Sequence, residues 1–294
     1  MPIDRAAVRN GSIYDGATGA SWGGVRQNGA VTEAVFLSIL SEILLVAPAP
    51  VTVTVRASGR TVLPTNNPLE PGAYDVYCNG RIGSIELTNE PWVHRIMSHS
   101  ISGREDSFSA QVRARDGKCV LSGLPNLNAL FGDWSGFESA HIFPLEKENI
   151  WSEDNFGRWI TNMDNTNGVP KINSCQNGLL LRRDLHQSFD NYLISVNPDD
   201  DYKIIVFSLD TFGLDGRSLD PVCRNPADPN HVSDELLRWH FRQSVLANMR
   251  GAGEPIFEHD FPTGTDIMTE IREGPYAKER FEMELSSRLR AFDV

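Results

Sequence analysis

The chain has 294 residues, of which 40% are apolar, 22% charged and 9% aromatic. At about 150 residues per domain this length predicts roughly two domains, and the composition excludes wholesale disorder, collagen and coiled coil. The charged side chains sum to −12, an acidic balance that argues against a tight nonspecific grip on nucleic acid but leaves room for a local basic patch. The longest apolar stretch, Ala34 to Ala49, is interrupted by Ser38, Ser41, Glu42 and Pro48 and is too short and too polar to span a bilayer. Met1 to Arg5 lacks a secretory apolar region, so the expected setting is intracellular, cytoplasmic or nuclear, with no membrane partner.

The first hundred residues read as a small α+β unit. Thr32 can cap a helix from Glu33 to about Val46, with Phe36, Leu40 and Ile43/Leu44 on one face. The Ala-Pro-Ala-Pro run at 47–50 stops it, and Val51 to Val55 alternates as a strand. Gly72 to Cys78 and Ile82 to Thr88 read as a hairpin joined by Asn79-Gly80. This unit shows no chemical constellation, and a scaffold, a dimerisation unit or a partner-binding module would all suit it. A Ser-rich stretch at 98–109 marks the best boundary. Past a middle region, Pro- and Gly-rich turns lead to a helix from Asp234 to Arg250, capped by Ser233 and stopped at Gly251. A closing helix from about Tyr276 to Phe292 would turn Phe281, Leu285 and Leu289 inward. The expected division is 1–105, 106–210 and 211–294.

The four cysteines, Cys78, Cys119, Cys175 and Cys223, contain no C-x-x-C pair, so neither a disulfide framework nor structural zinc is expected. The middle region carries three features in order: Ser139-Ala140-His141-Ile142-Phe143-Pro144, Asn177-Gly178-Leu179-Leu180-Leu181, and Asp184-Leu185-His186-Gln187-Ser188-Phe189-Asp190. Leu179 to Leu181 suits a buried strand, and Asp184 can cap a helix on which His186 and Asp190 share one face. An imidazole and a carboxylate at i and i+4 can grip one divalent cation.

This arrangement resembles the HNH endonucleases, over about residues 110 to 207. Arg115 to Gly123 looks like the strand-turn opening of that family, with Ser122 where a zinc-binding cysteine often stands. The run from Asn177 to Asn191 is similar to the zinc-less subgroup found in fungi and bacteria, and the flanks around Trp239 to Gln243 and Asn248 to Pro255 look like those of fungal members. The resemblance implies an α+β protein with an HNH ββα-metal core, an N-terminal α/β module and a C-terminal helical cap. It assigns His141 as general base, Asn177 as the brace of the loop or an aid to metal binding, and His186 as metal ligand, with Asp190 as a second ligand. One divalent ion is implied, Mg²⁺ or Mn²⁺ for oxygen-rich ligation, Zn²⁺ or Ni²⁺ for a His-rich site. The implied partner is nucleic acid, held with weak or modest affinity, and a homodimer stays open.

Family members usually place Asp or His immediately before the base. Here that residue is Ala140, which cannot bind a metal, and Glu138, on the same strand face, is a candidate substitute. Arg182 and Arg183 could meet phosphate or line a solvated turn. Asp190 could instead be a cap or pair with one of them. The remaining histidines (His94, His99, His231, His240 and His259) read as core or surface imidazoles, and the acidic loop of Glu254, Glu258, His259 and Asp260 as solvated, with a second metal site the alternative. Trp134, Trp151 and Trp159 read as packing of the insert, with base stacking the alternative. Between Arg104 and Asp184 eleven acidic side chains face nine basic ones, which suits few phosphate contacts. Two rivals stand beside the nuclease: an enzyme of this fold acting on a small molecule in a closed pocket, and a catalytically silent binding module.

Overall fold

The computed structural model describes residues 4–78, 85–95, 103–162 and 171–253, with isolated positions 269, 272, 277 and 281. The architecture is mixed α+β. Four strands form the N-terminal sheet: β1 (Gly11–Asp15), β2 (Ser21–Val25), β4 (Val51–Val55) and β5 (Gly72–Cys78), in the order β2-β1-β5-β4. Between β2 and β4 lie α1 (Glu33–Ser38), a π-helical turn over Ile39–Leu44 and the short β3 (Leu45–Val46). Thr32 caps α1 as expected, its Oγ1 accepting from Val35 N at 3.2 Å. The expected α-helix therefore loosens after Ser38 and ends at Leu44. Ser41 Oγ takes the Leu37 carbonyl at 2.9 Å there, a back-bond that competes with the helical ladder.

The expected hairpin across Asn79-Gly80 is not formed. β5 is parallel to β1 on one edge and antiparallel to β4 on the other, so neither edge is left for the next strand. That strand, β6 (Glu86–Leu87), pairs with β3. Asn79 and Gly80 themselves lie outside the described residues.

The middle region opens with α2 (Gly103–Asp116), where a boundary loop and then a strand were expected. Two strands follow, β7 (Phe137–His141) and β8 (Gly178–Arg182), separated by α3 (Glu148–Glu153) and several 3-10 turns. β7 and β8 pair antiparallel, His141 opposite Gly178. β8 runs directly into α4 (Arg183–Asp190), and β9 (Ile194–Asn197) and β10 (Lys203–Val206) close an antiparallel hairpin. The three leucines of β8 are consecutive because both its faces are covered. Leu179 and Leu181 join the large core, while Leu180 packs on Phe108 and Val112 of α2. The far edge of β8 is also satisfied: Leu180 N donates to Asp116 Oδ2 at 2.8 Å, and Leu180 O accepts from Val120 N at 3.0 Å. Arg115, buried and paired with Asp116 at 2.6 Å, holds the carbonyls of Cys175 and Gly178. An edge that would otherwise invite foreign pairing is thus closed from within.

α5 (Asp234–Met249) does not cap the molecule but runs through it, with twelve of its sixteen residues buried. Leu236, Leu237 and Trp239 belong to the middle core, and Phe241, Val245 and Met249 to the N-terminal one. β10 is divided the same way by its two-residue period: Ile204 and Val206 face one core, Ile205 and then Phe207 the other. Ser233 stands at the start of α5 but makes no side-chain cap; its N–H donates to Gln176 O at 3.0 Å. The expected helix over 276–292 lies outside the described residues except Ala277 and Phe281, both helical. Phe281 is 42% exposed rather than inward, since apolar spacing defines a face but not what covers it. Among the described residues, no helix is long and apolar enough to cross a membrane.

Candidate active site

The hairpin β7–β8 and the helix α4 bring the sequence-derived candidates together. His141 ends β7, Asn177 immediately precedes β8, and His186 and Asp190 lie one turn apart on α4. Asp184 was expected as the helix cap. It lies instead inside the first turn, accepting from Arg182 at 2.6 Å, while Arg182 occupies the cap position without a capping bond. Its negative charge there still complements the helix dipole.

Asn177 is fully buried and its amide is spent on main chain. Oδ1 accepts from Phe143 N at 2.8 Å, and Nδ2 donates to Phe143 O at 3.2 Å and Ile172 O at 2.8 Å. The side chain clips the loop leaving β7 to the loop entering β8. Gly178 follows because nothing larger fits: a Cβ there would stand 2.6 Å from the Phe108 ring and 2.7 Å from Val112. This close approach lets Phe108 stack on the His141 imidazole, centroids 3.9 Å apart and planes at 9°.

His141 is thus held in an apolar slot. Its Nε2 lies 2.9 Å from Asn173 Oδ1. Burial pushes its pKa down to about 4; the Arg95 and His186 charges add to that and the Asn173 contact opposes it. The ring is neutral at pH 7. With Asn173 turned so that Oδ1 faces the ring, Nε2 carries the proton and Nδ1 the lone pair.

His186 has the opposite surroundings. Nδ1 meets Glu138 Oε2 at 2.8 Å and Nε2 meets Asp190 Oδ2 at 3.1 Å. Burial disfavours the imidazolium, but Asp190 and Glu138 overcome it and raise the pKa to about 9. The hydrogen bond from His186 outweighs burial at Glu138, and Arg183 at 2.7 Å adds to it, holding that carboxyl at about 2. Burial works against the Asp190 carboxylate too, yet Arg95 and then His186 bring it to about 2. Glu138, two residues before Ala140 on β7, therefore does reach the site, while Ala140 is buried and offers no donor.

The donor chemistry fits a divalent ion held by few protein groups. His186 Nε2 and Asp190 Oδ2 face each other across 3.1 Å, and Glu138 sits on the other ring nitrogen. That is where an outer carboxylate orients a metal-binding histidine. Among the described residues no group of three His, Cys, Asp or Glu side chains is arranged to hold a metal. The pair would need water or substrate oxygens to complete the shell.

Sequence reasoning missed Arg95, Asn173 and Phe108. Arg95 Nη2 donates to His141 O and lies 3.0 Å from Asp190 Oδ1. Asp190 pairs with Arg95 and His186, not with Arg182 or Arg183, which are taken by Asp184 and Glu138. Phe108 could have been found from its i, i+4 spacing to Val112; Arg95 and Asn173 carry no local signal. The other histidines have structural surroundings where described: His240 is buried, stacked on Phe189 and bonded to Ser195 Oγ at 2.8 Å, and His231 meets Asp228 O at 2.6 Å. Trp151 is core against Phe143, Trp159 stacks on Phe156, and Trp134 lies under the Arg113 guanidinium. His99 and the acidic loop of Glu254, Glu258, His259 and Asp260 lie outside the described residues.

A cleft of about 640 Å³ lies between α1 and α5, lined among others by Val35, Ile39, Trp159, Arg238 and Phe241. None of its lining residues belongs to the site.

Residues 119–197 match the family model of the HNH endonucleases, inside the stretch on which the resemblance rested. Residues 8–83 match that of a domain of unknown function. Comparison with the curated proteins and with the solved structures found no match.

Proposed function

We propose, from the premise that residues 119–197 belong to the HNH endonuclease family, that this protein hydrolyses phosphodiester bonds of nucleic acid with the help of one divalent ion. The observation that carries the reading is the contrast between two histidines of one strand-strand-helix unit. His141, at the strand end, is neutral; His186, on the helix, is clasped by carboxylates. We read this unit as the ββα-metal core. The nuclease-type chemistry rests on the family match; the metal, the substrate and the residue roles are our assignment.

In that assignment His141 is the general base. Its Nδ1 takes the proton of the attacking water, and Phe108 and Asn173 keep the ring in one plane and one tautomer. Asn177 does not act on substrate. It fixes the Phe143 main chain, two residues past the base, and so fixes where His141 ends up. His186 and Asp190 would hold the ion, which supplies charge stabilisation at the phosphate and the leaving oxygen when bound. Glu138 orients His186 through Nδ1. Arg183, 75% exposed beside Glu138, would meet a phosphate of the substrate backbone in this assignment, and Arg182 lies next to it. Mg²⁺ or Mn²⁺ suits the oxygen-rich shell better than Zn²⁺ or Ni²⁺. The cysteines, all free and buried where they stand, suit an intracellular setting.

The test is cleavage of supercoiled plasmid, single-stranded DNA and RNA with Mg²⁺, Mn²⁺, Ni²⁺, Zn²⁺ or EDTA, using wild type, His141→Ala and His186→Ala purified in parallel. Metal-dependent cutting lost in both variants is the expected result. Cutting that survives His141→Ala removes the assigned base, and no cutting by folded wild type with any ion removes the nuclease.

A further inference from the structure

Arg95 comes from the segment after β6, outside the stretch that matches the HNH family. That segment is fastened from two sides. Val93 N donates to Gln243 Oε1 of α5 at 2.6 Å, Tyr192 Oη donates to Val93 O at 2.8 Å, and Trp92 packs edge-on against the Tyr192 ring. The guanidinium sits 5.7 Å from the centres of both the Phe189 and Tyr192 rings, and its side chain is only 5% exposed. Nη2 aims its hydrogen at His141 O, and the same nitrogen lies against Asp190 Oδ1, an ion pair without a hydrogen bond. Among the described residues, the buried Nη1 has no hydrogen-bond partner.

A buried cation persists only where an anion compensates it. Here the anion is Asp190, whose other oxygen faces His186. One carboxylate therefore already serves two positive groups before any ion arrives. An ion added at the donor pair would stand beside a fixed guanidinium, whose repulsion across a few ångströms is worth at least a factor of ten in affinity even at a surface-like dielectric.

We propose that Arg95 is the resident cation of this site: a positioning residue, contributed from outside the family-matched stretch, that ties the His141 carbonyl to the Asp190 carboxylate and keeps that carboxylate's hold on a divalent ion weak. The inference rests on the reading of His186 and Asp190 as the ion's donors. It accounts for why a guanidinium and not a third carboxylate lies there. A weakly held ion would be completed by the substrate's own phosphate, so that ion and substrate assemble together.

The test is a calorimetric titration of the full chain with Mn²⁺ alone, in wild type, Arg95→Met, Arg95→Gln and Arg95→Lys. Both neutral variants are expected to bind Mn²⁺ at least tenfold more tightly than wild type, and Arg95→Lys within threefold of it. An arginine that only holds the fold would leave the Mn²⁺ affinity unchanged or lower it, and either result overturns the proposal. A second measurement covers failure of the neutral variants to fold. In wild type labelled at arginine nitrogen, saturating Zn²⁺ is expected to shift the Arg95 Nε resonance, assigned by its loss in Arg95→Lys; an unmoved resonance overturns the proposal. Plasmid cleavage by wild type is run alongside. Absent cleavage with the Mn²⁺ difference intact removes the nuclease and leaves Arg95 as proposed. Cleavage without the Mn²⁺ difference does the reverse.

Discussion

The end of β7 and the face of α4 each present one histidine to the same small volume, and the two are tuned in opposite directions. At the strand end the ring is buried against an aromatic ring and an amide, with the Arg95 and His186 charges nearby, so the imidazole stays neutral down to about pH 4. On the helix the neighbours are two carboxylates, so the imidazole keeps its proton up to about pH 9. Two identical side chains whose surroundings separate their proton affinities in this way can take different roles in one reaction. A proton acceptor is wanted where the ring is neutral. A donor pair for a cation is wanted where negative charge has been gathered and is only provisionally neutralised by a proton.

The contrast can be broken most severely by His141→Ala. Loss of a positioned base is expected to cost about 10²–10⁴-fold in cleavage rate. A rate within threefold of wild type under saturating Mn²⁺ would remove the role. Next in size is Asn177→Ala, which leaves the Phe143 amide and two carbonyls without partners. About 2–4 kcal/mol of stability is expected to go, from the usual cost of unsatisfied buried groups. Urea unfolding measures it, and a loss below about 1 kcal/mol would mean that the clip is not needed.

Gly178→Ala sharpens the comparison on the strand side alone. Its new Cβ must push Phe108 off the His141 ring. With the apolar slot opened, the His141 pKa is expected to rise toward its ordinary value of about 6.5. The acid limb of kcat/KM, which reports the free enzyme, should then move upward from about 4; identical limbs in variant and wild type would contradict the slot.

Stability against pH should show both histidines at once. His186 has a folded pKa above its unfolded one, so its contribution is complete below about pH 6.5 and is lost as pH rises through about 9. His141 has a folded pKa below its unfolded one, so its contribution is complete above about pH 6.5 and is lost as pH falls through about 4. Toward pH 2, Glu138 and Asp190 add to the acid loss. In urea midpoints measured from pH 3 to 10, His186→Gln is expected to flatten the alkaline fall and His141→Gln the upper part of the acid fall. An unchanged alkaline fall in His186→Gln would show that the carboxylate clasp does not raise its pKa. The smallest expected effect is that of Asp184→Asn, which breaks a half-exposed pair with Arg182. Such pairs are worth about 0–1 kcal/mol, and a larger loss in urea would give Asp184 a duty not assigned to it.

The legible parts of the site are those written within a few residues. Three leucines and a His-to-Asp spacing of four mark β8 and α4, although Asp184 does not cap the helix as expected; the close approach of Gly178 to α2 was not read. Glu138 was legible as a strand-face neighbour of Ala140, though not as a partner of His186. Arg95 was invisible because its partner lies 95 positions further on and nothing in its own neighbourhood points there. In the fold, Asn79-Gly80 misled for a similar reason. A local turn signal lost to strand pairings from β1 and β4 that only the folded chain supplies. α2 was missed because just Phe108 and Val112 mark its buried side, against a polar remainder.

The sharing of α5 and β10 between two cores bears on how this chain can be inherited. Residues 119–197 carry the family match, but they do not carry their own covering. Leu236, Leu237 and Trp239 complete the middle core, while the reverse faces of β10 and α5 already belong to the N-terminal unit. Excised alone, the segment would lose Ile204 and Val206 along with α5, and would bare Val196, Leu179 and Leu181 to water. It is not a portable cassette, and any ancestral transfer of it between proteins had to bring the helix along or find another to lie in its place.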